Sequence, residues 1–399
     1  MSSPGEHPLH ASMGPLLDED EEEITPAAVR VLAESARLAD RVARRVMELR
    51  EMLESEPRVR ETLESMVRRG LGVEKPLPGA AVDSTFPMDG GLDLIGGHLV
   101  VVVAGYVGFG GACGGGRCSE AYARAWFVDS DEARRQVPLR AKLLEKAVTL
   151  RLLRGLESAQ PRMLLLDGEL IPYQLLFKSS AAIGRSRVLS RLDDATARVL
   201  EEARERRVTL VGVVKRSYSR MLAARLGKRL PLNDKAVMSL LLGPGSYAVL
   251  GSFRELLPGY AEILAREKGL SPEKYRRIVE ERLRERPGYG EVTVAFYRPS
   301  RPVRGGYAVR VEVLDYGGLG LENVLAILNG LTSPATGLPY PVDLVDEYTR
   351  IEARVLELLR RRVVAHLAQL LRPLGPTVLT LLSHTNPEKR YVYESRRRL

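Results

Sequence analysis

Three apolar runs in this chain each stop at a chargeable residue, and that pattern limits the folds open to it. Ala81-Val82-Asp83-Ser84-Thr85 leads towards a further run from Leu99 to Ala104. Leu164-Leu165-Leu166-Asp167-Gly168-Glu169 follows one helical stretch, and Val208-Thr209-Leu210-Val211-Gly212-Val213-Val214-Lys215 follows another. Apolar runs without polar alternation read as strands covered on both faces. Strands of that kind end side by side, so Asp83, Asp167 and Lys215 are expected together at one edge of a sheet, where open α/β sheets bind ligands. Two carboxylates and an ammonium there suit divalent-metal chemistry on a phosphate. Each residue also has an ordinary reading: a strand-end Asp serves in turns and helix caps, Asp167-Gly168 is a turn pair, and Asp234 is placed to cap a helix.

With 399 residues, 45% of them hydrophobic, the chain can bury one large core or two smaller ones. Its 60 Lys and Arg against 51 Asp and Glu leave a net charge of +9, which favours polyanionic partners. Arg outnumbers Lys, and Glu and Arg alternate densely along helical stretches, as ion-pair networks at high temperature or GC-rich coding would give. The two cysteines, Cys113 and Cys118, sit in one glycine loop without the further ligands that zinc needs, so free thiols in a reducing cytoplasm are expected rather than a local disulfide. The acidic start from Asp18 to Glu23 is unlike a secretion signal, and no apolar run is long enough to span a membrane, which places the protein in the cytoplasm.

Residues 1–24 read as a disordered acidic tail and residues 25–75 as an N-terminal helical segment, with two amphipathic helices broken near Pro57. The rest, 76–399, forms the main domain. Leu99 to Tyr106 and Ala121 to Val128 read as a hairpin around the glycine loop. That loop lacks the Gly-Lys-Ser/Thr ending of a phosphate-binding loop, so a turn is expected rather than a phosphate cradle. Helices are expected at Leu139–Ser158, Val188–Arg206, after Asn233, from Ser271 to Arg286, at Leu321–Leu331 and at Val345–Leu371. A second strand pair is expected at Val292–Tyr297 and Tyr307–Val313. The result is an α/β fold, a mixed sheet flanked by helices. His98, His366 and His384 have no partner at ligand spacing.

The strand ends at Asp83, Asp167 and Lys215, with Asn233-Asp234-Lys235 and Gly337-Leu338-Pro339-Tyr340-Pro341, resemble in order and spacing the NurA nucleases of archaea. The resemblance covers about residues 75–385. It implies a fold similar to ribonuclease H and the Piwi domain, and a manganese- or magnesium-dependent DNA nuclease with two ions. It implies 5'–3' exonuclease and single-strand endonuclease activity on single- and double-stranded ends, in end resection for double-strand break repair. It also implies a homodimer working with a HerA-type hexameric translocase, near Mre11 and Rad50. By position, Asp83 and Asp167 match the metal-ligand carboxylates, Glu145 the helical Glu, with Glu157 as the alternative, and Lys215 the strand-end Lys. Where the family brings a His after Pro-Tyr-Pro, this chain has Asp346, with Asp343, Glu347 and Tyr348 nearby.

The chemistry agrees with this assignment. Phosphodiester hydrolysis needs a deprotonated water and stabilised charge on the phosphoryl and leaving oxygens, which two hard cations about 4 Å apart supply. Asp83 is expected to bridge them, with Asp167, Glu145 and Asp346 completing the ligands, and Lys215 neutralising a non-bridging oxygen. Glu169 is a further acid in reach. Arg216 and Arg220, and the tail Lys389-Arg390 with Arg396-Arg397-Arg398, are candidate phosphate contacts. Aromatic content of 6% does not suggest extensive base stacking. Two other readings remain: a nuclease-dead relative serving as the DNA-binding or scaffold subunit of a translocase, and a sugar-kinase-like phosphotransferase, for which the glycine loop is a poor match.

Overall fold

The computed structural model describes residues 26–87, 92–94, 97–112, 118–128, 135–155, 162–301 and 306–374. The acidic tail 1–24, Cys113, Glu157, His384 and the basic C-terminal tail lie outside the described residues. The chain opens with α1 (Pro26–Ser55), α2 (Pro57–Met66) and β1 (Val67–Arg69), followed by β2 (Gly79–Thr85), β3 (Leu92–Leu94), β4 (Gly97–Phe109) and β5 (Ser119–Val128). Next come α3 (Val137–Gly155), β6 (Met163–Asp167), α4 (Tyr173–Leu176), α5 (Ser180–Gly184), α6 (Arg187–Glu205), β7 (Thr209–Val214), α7 (Met221–Leu226) and α8 (Asp234–Leu241). The remainder is β8 (Ser246–Ser252), α9 (Phe253–Glu267), α10 (Pro272–Glu285), β9 (Thr293–Arg298), β10 (Val309–Asp315), α11 (Leu321–Gly330), α12 (Tyr340–Thr349) and α13 (Ala353–Leu371).

One ten-stranded mixed sheet carries the fold. At its centre β4 pairs antiparallel with both β2 and β5, while β6 runs parallel to β2 and β7 parallel to β6. Leaving aside the short β3, the order β5-β4-β2-β6-β7 is third, second, first, fourth, fifth in the chain, with α3 before the fourth strand and α6 between the last two. This is the ribonuclease H-like arrangement that the family resemblance implied. Strands β10, β9, β8 and β1 extend it antiparallel beyond β7.

The central strands are apolar throughout because both their faces are covered. Val82, Leu164, Leu166 and Leu210 point to one side, against Val148 and Leu152 of α3, Leu192 of α6 and Phe253 of α9. Ala81, Leu165, Val211 and Val213 point to the other, against Leu325 and Leu328 of α11 and Val342 and Val345 of α12. Local chemistry sets several helix starts: Ser186 and Ser271 accept from backbone amides of α6 and α10, and Ser252 with Glu255 forms a reciprocal cap on α9. The C-terminal part of α1 and α2 join the first core through Leu49, Val59 and Leu63.

Four expectations change. The N-terminal segment 25–75 is not helical throughout: its second helix stops at Met66, and Val67–Arg69 pairs with β8 as an edge strand. The expected single helix Val345–Leu371 is two, because α12 begins earlier, with Pro341 in its first turn, and Arg350 is extended at φ −58°, ψ 130°. Thr349 anchors the end of α12 to the sheet by a hydrogen bond to Asp83. Strand β8 and helix α9 fill a stretch to which the sequence reading gave no element. Cys118 is disulfide-bonded, not a free thiol.

Candidate metal centre

Asp83 is the fifth residue of β2 and Asp167 the last of β6, and Lys215 stands one residue beyond β7. Because β2, β6 and β7 run parallel, their last residues lie at one edge of the sheet. By the alternation of side chains along a strand, Asp83 and Asp167 share the face of Ala81 and Leu165, the face that α12 covers. Helix α12 packs over β2, β4 and β6 and brings Asp346 to the same point. Gly105, paired with Asp83 across the sheet, permits that approach: a Cβ there would lie 3.2 Å from the Thr349 methyl and 2.9 Å from the Glu120 carbonyl oxygen. After Asp167 the chain turns at Gly168, whose φ of +115° suits glycine.

Carboxylate oxygens of Asp83, Asp167 and Asp346 all lie within 4.8 Å of one another. Asp83 is buried, Asp167 half-buried and Asp346 exposed, so the group opens to solvent through α12. The Lys215 ammonium is 2.7 Å from Asp167 Oδ2 and 2.7 Å from Asp346 Oδ2. Thr349 Oγ1 donates to Asp83 Oδ2 at 2.9 Å. Burial raises the pKa of Asp83, and the nearby charge of Glu145 raises it further. Burial and the charge of Asp83 push Asp167 up to about 7, against the pull of Lys215. Burial alone would lower the pKa of Lys215, but the carboxylates of Asp167 and Asp346 hold it above its ordinary value.

Three converging hard oxygen donors, two of them with carboxyls raised by burial and by a neighbouring carboxylate, are a fitting set for a divalent cation, which takes carboxylate oxygens and offsets their negative charge. Glu145 borders the group without belonging to it. Fully buried on α3, its carboxylate accepts from Ser84 Oγ at 3.0 Å and Lys142 Nζ at 2.7 Å, with the buried Lys146 ammonium at 3.5 Å. Lys142 also donates to the Asp167 carbonyl oxygen at 3.0 Å, tying α3 to the end of β6.

Other acids singled out in the sequence are not members of the three-carboxylate group, although Asp343 is close enough to feel the charges of Asp346 and Lys215. Asp343 accepts from Thr336 Oγ1 at 2.6 Å, Glu347 lies 3.5 Å from the exposed Arg350, and Glu169 accepts weakly from the Tyr173 amide at 3.4 Å. Asp234 is a cap: its buried carboxylate accepts from the Met221 and Leu222 amides and the Ser219 hydroxyl, while Lys235 donates to the Lys215 carbonyl oxygen at 2.7 Å. The two together pin the loop that follows Lys215. The strands that flank the glycine loop, β4 and β5, pair antiparallel, and Phe109 at the end of β4 pairs with Gly79 at the start of β2, four residues and about 13 Å from Asp83. The sequence reading missed Thr349 and Lys142, and also the buried pair Arg310–Glu312, in which Glu312 accepts from the Leu170 amide at 2.9 Å and steadies the loop after Asp167. The charged residues alternating with valine in Val309-Arg310-Val311-Glu312-Val313 were the signal for that pair.

The model of the NurA domain matches residues 80–351, a span that begins three residues before Asp83 and ends just past Thr349. The chain belongs to the NurA family. Its structure is similar to that of the NurA nuclease from Sulfolobus solfataricus, at 14% identity and a TM-score of 0.54, covering 85% of this chain and 97% of that one. A second NurA crystal structure is similar at 13% identity and a TM-score of 0.50, covering 82% of this chain and 97% of the other. At these identities the likeness is one of fold. No curated protein sequence matches the chain.

Proposed function

We propose that this NurA-family protein is a divalent-metal-dependent DNA nuclease whose reacting phosphate sits at Asp83, Asp167 and Asp346. The observation that carries the reading is the convergence of those three carboxylates, from two strands and a helix, at the edge where Lys215 ends. The three would hold manganese or magnesium in a centre that takes two ions, and Glu145, the fourth acid, would back them from α3 beside Ser84. A bound cation of this kind polarises the phosphoryl group and makes water easier to deprotonate. Lys215, already poised among the acids, neutralises a non-bridging phosphate oxygen. Thr349 fixes the rotamer of Asp83, and Lys142 holds Glu145 beside the strand ends.

Family membership supports the finer reading of 5'–3' exonuclease and single-strand endonuclease activity in resecting ends for double-strand break repair, with a HerA-type translocase and in the Mre11–Rad50 pathway. A homodimer has separate support. Helix α13 buries none of its residues and exposes Val355, Leu358 and Leu370, and α1 exposes Leu38, Val42 and Met47. Among the described residues no helix is long and apolar enough to cross a membrane, and we place the protein in the cytoplasm.

The test is degradation of end-labelled single- and double-stranded DNA with manganese, magnesium or chelator, alongside Asp83→Ala. Metal-dependent cleavage that the variant loses while staying folded is the expected result. Cleavage retained by folded Asp83→Ala would overturn the site. DNA binding without cleavage in any metal would favour an inactive scaffold subunit instead.

A further inference from the structure

On the opposite side of the sheet from the three carboxylates, by the same strand ends, lies a cavity of about 310 Å³. The loops leaving the two catalytic strands form part of its wall: Glu169 comes two residues after Asp167, and Arg216, Ser217 and Tyr218 directly follow Lys215. Two residues of chain reach at most about 7 Å, so the backbone of Glu169 on the cavity wall lies within that distance of the Asp167 backbone.

Its lining discriminates between the parts of a nucleotide. Glu312 is fully buried there and pairs with Arg310 at 2.7 Å, so that guanidinium is already neutralised, and Glu169 adds a second carboxylate. Arg216 also lines the cavity, so its two carboxylates face two guanidiniums and no net charge draws a phosphate in. The remaining walls include the rings of Tyr173, Phe253 and Tyr260, and Tyr218 at the Lys215 loop exposes 83% of its surface. An exposed aromatic beside a basic loop is a stacking platform for a flat base, and carboxylates and hydroxyls accept from the amino and ring N–H groups of bases. The exposed Arg216, on the cavity wall, offers its guanidinium to the backbone of an entering strand.

We infer that this cavity receives an unstacked nucleobase of the strand whose phosphate lies at the metal centre, with Tyr218 stacking on it. The inference rests on the nuclease reading and deepens it, because a base can enter only after leaving its duplex stack. Single strands and frayed ends are therefore the substrates that fit.

The test compares binding of the full chain, in chelator, to a fluorescent oligothymidylate and to an oligomer of equal length and charge that carries tetrahydrofuran in place of every base. The base-bearing strand should bind about tenfold tighter or more, the ratio that stacking of one base gives, and Tyr218→Ala should bring the ratio close to one. Equal affinities for wild type, or an undiminished ratio in the variant, overturn the cavity proposal. Metal-dependent cleavage of the oligothymidylate is read in parallel: cleavage with a ratio of one removes the cavity alone, whereas an intact ratio without cleavage removes the nuclease reading alone.

Discussion

Asp167 sits between two influences: burial and the Asp83 carboxylate push its pKa up to about 7, while Lys215 pulls it down. A cation at this centre competes with the proton on Asp167. Manganese affinity, measured by calorimetry, should weaken by up to tenfold per pH unit below about 7 and level off above it. The sign for stability follows from the same shift. A carboxyl raised above its ordinary value gives stability that is present below the usual carboxylate range and is lost as pH rises through about 7, so the metal-free protein should melt lower at pH 8 than at pH 5, and manganese should recover the difference. Thr349→Val removes the donor to Asp83 at nearly constant volume and should weaken manganese binding about tenfold or more, as loss of a hydrogen bond to a metal ligand does. An unchanged affinity would show Thr349 to be a packing residue only. Asp83, Asp167 and Lys215 were legible in the sequence because each ends an apolar run. Asp346 was reached only through the family resemblance, and Thr349 and Lys142 not at all, because a helix surface gives no local sign of which polar residue will meet a strand end far away in sequence.

Between α6 and α10 a buried network replaces apolar packing. Arg282 reaches Asp193 at 2.5 Å and the Leu175 carbonyl oxygen at 3.1 Å, Arg286 pairs with both Asp193 and Asp194, and the Tyr289 hydroxyl donates to Asp193. Asp193→Ala leaves the buried Arg282 without its carboxylate and should destabilise the fold by about 3–5 kcal/mol in denaturant unfolding. A loss below about 1 kcal/mol would mean that water enters and solvates the guanidinium. The elements themselves were mostly legible: Met163–Asp167 is the strand its apolar run announced, and Pro57 divides α1 from α2 as expected. The break between α12 and α13 was not, since the apolar periodicity continues across Arg350 and neither glycine nor proline marks it. Strand β8 escaped because its run is bounded by Ser246 and Gly251-Ser252 and its identity as a strand depends on pairing with β9 and β1.

At the scale of the molecule, the net charge of +9 gives a non-specific attraction for DNA, to which Arg216 and Arg220 beside Lys215 add a local focus. Neutralising about four phosphates would give roughly a hundredfold loss of affinity between about 50 and 200 mM salt, a slope that fluorescence titration measures directly. The bare apolar stripe of α13 makes a second claim at this scale: Leu358→Glu with Leu370→Glu should shift sedimentation towards the monomer if that face joins two copies, and leave it unchanged if the dimer forms elsewhere. All of this is secondary to whether the sheet edge holds metal. The most direct measurement is anomalous scattering at the manganese edge from crystals grown with the ion. The account predicts an anomalous peak among the carboxylates of Asp83, Asp167 and Asp346, lost in Asp83→Asn. A manganese-loaded crystal with no peak there, or with the peak unaltered in the variant, would contradict it.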